Sequence, residues 1–237
     1  MDDAIQAIVI APAADDDHVI TGLTLSERGR RVVTRAGIPD TSTFLVRDGD
    51  DIHRHRAQLS GAVLIVDARD QVVAHPLIAP LLDDPHQTAV AITATGAFAG
   101  AAILDAEAAP AILDRLIEPA TLPAGEDLGA AIAGGERRIV TDRARHPAAT
   151  TAERAAADRW QMDLCVKPLD APIVRYFYRP ASRPFTRMFL HTSLSPNAIT
   201  VVSIVFSVIG AYIGAHPGYW LHVLGMALVV FGGVLDG

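Results

Sequence analysis

The sequence has little cysteine and lysine and an excess of acidic residues, which argues against a disulfide-stabilised or nucleic-acid-binding protein. Its single cysteine, Cys165, excludes an internal disulfide and fits a reducing compartment. No lysine precedes Lys167, and Asp and Glu outnumber Lys and Arg by 27 to 20. An acidic chain repels the phosphates of DNA and RNA, so we expect no nucleic-acid partner. The N-terminus has no basic region and too short an apolar run for a signal peptide.

Charge is missing altogether from one long stretch, Thr192 to Leu235, which contains no Asp, Glu, Lys or Arg. A single carboxylate, Asp236, follows that stretch, and a carboxylate at the end of an apolar run is costly unless it has a partner. The shift from mixed to apolar composition predicts three regions. They are an α/β domain (1–150), a helical linker with a basic juxtamembrane segment (151–194), and a membrane region (195–237).

Short apolar runs alternate with helical patterns along the first region. The predicted strands are 4–11, 43–47, 62–68 and 88–94, and the predicted helices are 24–36, 50–59 and 110–117. This alternation predicts a Rossmann-like α/β domain with a mostly parallel sheet and ligands at the carboxyl ends of the strands. Ser26 is the expected N-cap of the first helix.

The opening strand AIVIAPA and the helix GLTLSERGRRVVTRAGI resemble those of the sugar-nucleotide nucleotidyltransferase fold. In that family a Gly-rich loop follows the first strand, and a later Lys holds the phosphates. Here the loop Pro12–Asp17 contains no glycine and ends in three carboxylates, which repel a triphosphate. We therefore expect a degenerate nucleotidyltransferase-like domain without nucleotide chemistry. Asp67 stands where the family has a metal-binding carboxylate, although a lone Asp at a strand end is more often a turn residue.

Other polar groups in the first region give weaker signals. His53 and His55 lie two residues apart on a predicted helix and face different directions, which argues against a shared metal. The run Asp15–His18 is typical of a solvated loop more often than of a cation site. Ser26 and Ser60 lack the Gly-x-Ser-x-Gly setting of a nucleophilic serine.

The linker is Ala-rich from residue 151 to residue 165, which predicts a helix capped by Thr151. A basic segment follows, with one arginine in every four residues: Arg175, Arg179, Arg183 and Arg187. Pro180 and Pro184 predict two short amphipathic pieces instead of one helix. A basic stretch directly before an apolar span favours contact with anionic lipid headgroups over an ordinary solvated face.

Two uncharged segments, 198–215 and 219–235, flank the turn His216-Pro217-Gly218. Each has nearly the length that a helix needs to cross a hydrocarbon core of about 30 Å. We expect two transmembrane helices in the cytoplasmic (inner) membrane, and the basic flank places the first domain in the cytosol. A central helical hairpin of a soluble protein is the alternative.

Ser195-Pro196-Asn197-x-x-Thr200 opens the first of these segments, and Leu235-Asp236-Gly237 closes the second. This pattern resembles the CDP-alcohol phosphatidyltransferase family, whose signature begins Asp-x-x-Asp-Gly-x-x-Ala-Arg. Asp236 matches the first Asp, because the other register would need an Asp at Gly233. The approach from Lys167, with Pro168, Asp170, Arg175, Arg179-Pro180 and Ser182, resembles members that carry a fused cytidylyltransferase-like domain and make a phosphoinositol lipid product.

The resemblance implies a reaction in which an acceptor alcohol displaces CMP from a CDP-alcohol, with Mg²⁺ or Mn²⁺ as the cofactor. It makes Asp236 a metal ligand and places Asn197 and Thr200 in the substrate pocket. The general base and the other signature carboxylates are expected beyond Gly237. We therefore expect an inactive N-terminal part of a phospholipid-synthesis enzyme with about six spans that forms a homodimer.

Two alternative functions stay open at this point. One is an active N-terminal cytidylyltransferase that uses CTP and inositol 1-phosphate, which would make the protein bifunctional. The other is a non-enzymatic, membrane-anchored protein whose α/β domain binds a ligand or serves as a scaffold.

Overall fold

The computed structural model describes residues 5–118, 121–132, 134–164, 174–190 and 196–236. The chain divides into two compact units, Met1–Trp160 and Gln161–Gly237. The first unit is a mixed α/β domain, and the second is helical.

The strands of the first unit are β1 (Gln6–Ile10), β2 (Val19–Ile20), β3 (Leu23–Thr24), β4 (Thr43–Val46), β5 (Val63–Asp67), β6 (Gln71–Val73), β7 (Ala89–Ile92), β8 (Phe98–Leu104), β9 (Glu136–Ile139) and β10 (Arg145–Pro147). Its helices are α1 (Leu25–Arg35), α2 (Gly49–His55), α3 (Ala79–Leu82), α4 (Ala109–Ile117), α5 (Gly125–Ala131) and the first part of α6 (Thr151–Leu164). The four predicted strands and three predicted helices are all present, with ends that differ by a few residues.

Six strands form one sheet in the order β4-β1-β5-β8-β7-β9. β1 lies between two parallel neighbours, and its Ile8 is level with Phe44 of β4 and Ile65 of β5. β8 runs antiparallel to both β5 and β7, whereas β9 is parallel to β7. The prediction of a mostly parallel sheet is confirmed, and β8 is the antiparallel exception that the sequence did not reveal.

Helices cover both faces of the sheet, because successive side chains of a strand point to opposite sides. On one face Val9 and Val66 pack in a core that includes Val33 of α1. On the other face Ile8 and Ile65 pack in a core that includes residues of α2 and α4. Burial of each such side chain contributes about 1.5–3 kcal/mol. β5 and β8 are buried along their whole length, as is typical of strands with both faces covered, whereas the edge strand β9 is charged and largely exposed.

The N-caps of two helices lie one or two residues before the predicted N-caps. Thr24 caps α1, since its hydroxyl accepts the N–H of Glu27 at 3.2 Å; Ser26, the predicted N-cap, lies inside the first turn. Thr150 caps α6 in place of Thr151. The Thr150 hydroxyl accepts the N–H of Glu153 at 3.2 Å, and the Glu153 carboxylate accepts the N–H of Thr150 at 2.9 Å, which is the reciprocal pattern of a capping box.

In the second unit, a single π-helical turn over Val174–Tyr178 precedes α7 (Arg179–Leu190). The predicted break at Pro184 is wrong, because α7 continues through this residue. Pro184 removes one intrahelical N–H donor, and Pro180 removes another in the first turn of α7, directly after the π-helical turn. The helix therefore retains most of its backbone hydrogen bonds.

Much of the predicted basic segment lies outside the described residues. This holds for Lys167, Pro168 and Asp170, and for the side chains of Arg175, Arg179 and Arg187. Arg183 is described, and its guanidinium forms an ion pair with Asp163 at 2.6 Å. Both side chains are about half exposed or more, so the pair contributes little to stability.

The last two helices, α8 (Pro196–Gly214) and α9 (Tyr219–Asp236), pack against each other in opposite directions. Glycines allow the close approach: a Cβ on Gly225 would lie 2.5 Å from the carbonyl oxygen of Gly210. A Cβ on Gly232 would lie 2.6 Å from the hydroxyl of Ser207. Contacts between such small residues are typical of helix pairs in membranes.

In the part of the chain that the structure describes, one helix is long and apolar enough to cross a membrane, over Asn197–Gly214, and the apolar part of α9, Tyr219–Leu235, is shorter. Both helices expose many large apolar side chains, including Val201, Ile204, Val208, Leu224, Met226 and Phe231. The protein thus has a C-terminal helical region with one candidate span. The second span stays a prediction.

Candidate functional site

Residues of four strands, two from the main sheet (β5 and β8) and two from the small sheet (β6 and β10), meet at the carboxyl edge of the main sheet. β5 ends there with Asp67, whereas the antiparallel β8 begins there with Phe98 and Gly100. A cavity of about 150 Å³ opens at this edge. Its lining residues are Asp67, Asp70, Gln71, Phe98, Gly100, Ala124, Gly125, Arg145 and Pro147. Ligands of open α/β sheets bind in this position, so the cavity is the main candidate site of the first unit.

Asp67 is paired with Arg69 in a two-pronged ion pair. Nε of Arg69 donates to one carboxylate oxygen at 2.9 Å, and Nη2 donates to the other at 2.8 Å. The side chains of Arg69 and Asp67 are only 16% and 9% exposed. The same guanidinium donates to the carbonyl oxygens of Leu122 at 3.0 Å and Pro123 at 2.5 Å. The pair therefore connects the end of β5 to the loop before α5.

Gln71 connects Asp67 to a second arginine. Its side-chain N–H donates to the backbone carbonyl of Asp67 at 2.6 Å, and its oxygen accepts from Nη1 of Arg145 at 2.9 Å. Burial lowers the pKa of the Arg145 guanidinium, while the carboxylates of Glu126 and Asp67 act in the opposite direction. Gly100 leaves room for this amide, and its φ of 94° is one that other residues rarely adopt. The cavity thus has a fixed polar wall.

The geometry does not fit Asp67 as a metal ligand. Both of its oxygens already accept hydrogen bonds from a cation, Arg69. Within the described ranges, no group of three or more His, Cys, Asp or Glu side chains could hold a metal ion. That finding covers the run Asp15–His18 as well as the pair His53 and His55. The sequence prediction considered Asp67 alone, although its partner Arg69 lies only two residues later in the chain.

The loop after β1 uses its polar groups to cap the N-terminus of α1. Ala14–Asp16 forms a short 3₁₀ helix, and the Asp17 carboxylate accepts from both the N–H and the hydroxyl of Ser26. Together with the cap at Thr24, this occupies first-turn N–H groups that could otherwise bind a phosphate. A neighbouring cavity of about 530 Å³ has charged residues of both signs in its lining: Asp16, Arg69, Asp70 and Arg154. These features are not those of a triphosphate site.

In the second unit, the structure brings the predicted site residues to one end of the α8–α9 pair. Asn197 and Thr200 are exposed in the first turn of α8, and Asp236 is the last residue of α9. Because Ser203 lies beside Gly232 and Gly210 lies beside Gly225, the same antiparallel register places Asp236 level with the start of α8. The Asp236 side chain, Ser195 and Gly237 lie outside the described residues, so the assigned roles stay predictions.

A contact that the sequence did not reveal supports the last turn of α9. A Cβ on Gly233 would lie 2.7 Å from a ring carbon of Tyr178, so only glycine allows the ring to approach this closely. Phe231 packs edge-to-face against Phe185 of α7 and Phe206 of α8, with ring centroids 5.8 Å and 5.3 Å apart. Gly233, which excluded the second alignment of the signature motif with the sequence, is therefore also a packing residue.

Comparison with known proteins gives little beyond these observations. No protein-family model matches the sequence, and no curated protein matches it. Among solved structures, the chain is similar to a crystal structure of 4-diphosphocytidyl-2C-methyl-D-erythritol synthase from Anaerococcus prevotii. The two share 11% sequence identity with a TM-score of 0.45, over 66% of this chain and 97% of that chain.

Proposed function

We propose that the second unit belongs to a membrane-bound transferase that moves a substituted phosphate group from a CDP-alcohol to an acceptor alcohol. CMP is the leaving group, and the role is in phospholipid biosynthesis. The observation that carries the proposal is the pairing of α8 with α9. It brings Asn197 and Thr200, from the opening motif, to the same end of the helix pair as Asp236, from the closing motif.

Each of the three residues has a chemical role in this proposal. The amide of Asn197 and the hydroxyl of Thr200 donate and accept hydrogen bonds, which suits the cytidine part of the donor. Asp236 binds Mg²⁺ or Mn²⁺, since divalent cations of this kind prefer carboxylate oxygens. When bound, the cation neutralises the diphosphate of the donor. One carboxylate does not make such a centre, so the proposal requires further ligands and a general base from other residues of the protein.

The proposed location is the cytoplasmic membrane. α8 has the length and composition of a span, and its exposed Val201, Ile204 and Val208 would contact lipid tails. α7 would lie against anionic headgroups, and the first unit would lie in the cytosol. A homodimer of the membrane region is part of the same proposal.

For the first unit we propose a non-catalytic role. Asp17 and Thr24 cap the N-terminus of α1, and Arg69 occupies the carboxylate of Asp67. An active cytidylyltransferase would need both positions for phosphate and metal. A direct test is incubation of the purified protein with CTP and inositol 1-phosphate, from which we expect no release of diphosphate. Release above that of a heat-denatured sample would restore the bifunctional alternative.

The transferase proposal is tested with membranes that contain the complete product of the gene. CMP release is measured from CDP-diacylglycerol and other CDP-alcohols with a panel of acceptor alcohols and Mg²⁺. Asp236→Asn removes the proposed ligand charge and should lower CMP release by more than the roughly 10–100-fold that loss of an outer-shell partner of a metal ligand costs. Asp142→Asn, at an exposed position of the first unit, is the matched control and should retain activity.

Two results would contradict the proposal. One is the absence of CMP release with every donor, although the protein is folded in the membrane. The other is equal activity of the Asp236→Asn and Asp142→Asn variants. Either result favours the alternative of a membrane-anchored scaffold or ligand-binding protein, for which Asp236 has no role.

A further inference from the structure

We propose that Arg69 takes the place of a divalent cation at the carboxyl edge of the sheet, so that the first unit carries its own counter-ion and binds no metal at Asp67. The proposal concerns the first unit alone and does not depend on the transferase activity proposed for the second. It rests on the contacts of three groups: the Asp67 carboxylate, the Arg69 guanidinium and the loop carbonyls of Leu122 and Pro123.

Three hydrogen bonds from Arg69 occupy both oxygens of the Asp67 carboxylate. Its two oxygens accept from Nε and Nη2 of Arg69, and one of them also accepts the backbone N–H of Arg69 at 3.2 Å. A Mg²⁺ or Mn²⁺ ion needs oxygen ligands at about 2.0–2.2 Å, inside the space that the guanidinium occupies. The cation and Arg69 therefore compete for the same carboxylate.

Arg69 has contacts that hold it in place beyond the ion pair. Nη1 donates to the carbonyl of Leu122, and Nη2 donates to the carbonyl of Pro123. If Arg69 turned away, a nearly buried carboxylate and two loop carbonyls would each lose a charge-assisted partner at once. An incoming cation would compensate only the carboxylate. This asymmetry favours the guanidinium over the metal ion.

Removal of Arg69 would leave two carboxylates, Asp67 and Asp70, in the lining of the cavity, with Arg145 held on Gln71 as the remaining cation. Two carboxylates and water are ligands of the kind that hard divalent cations take. The proposal therefore predicts a latent cation site, closed by one side chain. Such a site can be opened by mutation and detected without any enzymatic assay.

The experiment measures Mn²⁺ binding to the full chain in detergent by electron paramagnetic resonance, in which bound Mn²⁺ loses the signal of the free ion. All samples carry Asp236→Asn, so that the proposed ligand of the second unit does not contribute. We expect no saturable binding in this background and a new saturable Mn²⁺ site when Arg69→Gln is added. The new site should disappear when Asp67→Asn is added as well. Arg143→Gln, which neutralises an exposed arginine of the same unit, should bind no Mn²⁺.

Two outcomes would overturn the proposal. Saturable Mn²⁺ binding with Arg69 present, abolished by Asp67→Asn, would show that the cation displaces the guanidinium. A folded Arg69→Gln chain that gains no site would show that Arg69 does not occupy a cation position. Circular dichroism establishes folding. If Arg69→Gln unfolds the domain, Mn²⁺ binding is compared between the chain that keeps both Asp67 and Arg69 and the same chain with Asp67→Asn. Absence of saturable binding to both supports the proposal.

Discussion

A Cβ on Gly100 would lie 1.8 Å from Nε2 of Gln71, so the buried amide of Gln71 in β6 can occupy its position only because residue 100 of β8 is glycine. Gln71 is 8% exposed and links the backbone of Asp67 to the guanidinium of Arg145. Any larger residue at position 100 would push this amide out of the wall of the cavity.

Gly100→Ala should therefore destabilise the first unit by about 3 kcal/mol, from the strain of a positive φ and from loss of buried hydrogen bonds. Gly96→Ala is the matched control. Gly96 also has a positive φ, 86°, but a Cβ there would meet no atom within 4 Å, so we expect only about 1–2 kcal/mol. Urea unfolding followed by Trp160 fluorescence, in a Trp220→Phe background, measures both values. Equal losses for the two variants would mean that the Gln71 contact contributes nothing.

Arg69→Ala should lower the free energy of unfolding by about 3 kcal/mol, because it leaves a nearly buried carboxylate without its partner. Arg69→Lys should recover part of the loss, since an ammonium group cannot make the two parallel hydrogen bonds of a guanidinium. Arg143→Ala, at an exposed position, should change stability by less than about 0.5 kcal/mol. The same fluorescence measurement applies. A stability loss below about 1 kcal/mol for Arg69→Ala would contradict a buried ion pair.

The carboxyl group of Asp105 should make the free energy of unfolding of the first unit decrease at acid pH. The backbone N–H of Ala108 and the hydroxyl of Thr88 hold the pKa of its carboxyl below the ordinary value. A lowered folded pKa stabilises the protein fully above the unfolded value of about 3.9, and this contribution is lost as the pH falls toward the lower folded value. Asp105→Asn removes the charge but retains an acceptor oxygen. The stability difference between wild type and Asp105→Asn should be constant from pH 7 to pH 5 and shrink below about pH 4. A difference that grows on acidification would show that the carboxyl pKa is raised instead.

Gly225→Ala should weaken the pairing of α8 with α9, because its Cβ would lie 2.5 Å from the carbonyl oxygen of Gly210 and 2.7 Å from the backbone nitrogen of Gly214. Gly214→Ala is the control, since its Cβ would meet its nearest neighbour only at 3.9 Å. The readout is thermal stability in detergent, measured as loss of the monodisperse peak in size-exclusion chromatography. We expect a fall of several degrees for Gly225→Ala and none for Gly214→Ala. The reverse order would place the helix contact elsewhere.

The sequence predicted the elements whose identity depends on local pattern. β1 and β5 are mostly apolar runs, and α1 ends before Gly37, so the hydrophobic pattern and the turn residues predicted these elements, although the N-cap is Thr24 and not the predicted Ser26. β8 was missed because its residues, FAGAAIL, are small and include a glycine, which is unfavourable in strands. The conformation of β8 depends on two neighbouring strands and on Gln71, which lies 29 residues before Gly100 in the chain.

The site was less predictable, because its chemistry depends on contacts between distant segments. Asp67 alone suggested a metal ligand, whereas the carbonyls that hold Arg69 against it lie 53 and 54 residues away. Arg145 entered no prediction, since its partner Gln71 is 74 residues earlier. In the second unit, the motif residues could be assigned to one end of the helix pair, because an antiparallel pair with a short turn has only one arrangement of its ends.

β8 is the strand that joins the two halves of the main sheet. The parallel group β4-β1-β5 and the group β7-β9 have no ladder in common except through β8. β7 and β8 can pair early in folding, because a short turn separates them, whereas β5 and β8 close a longer loop. The main sheet thus consists of two groups of strands that are hydrogen-bonded to each other through one strand. Amide protons of β8 that bond to β5 should exchange with solvent only when these two groups separate.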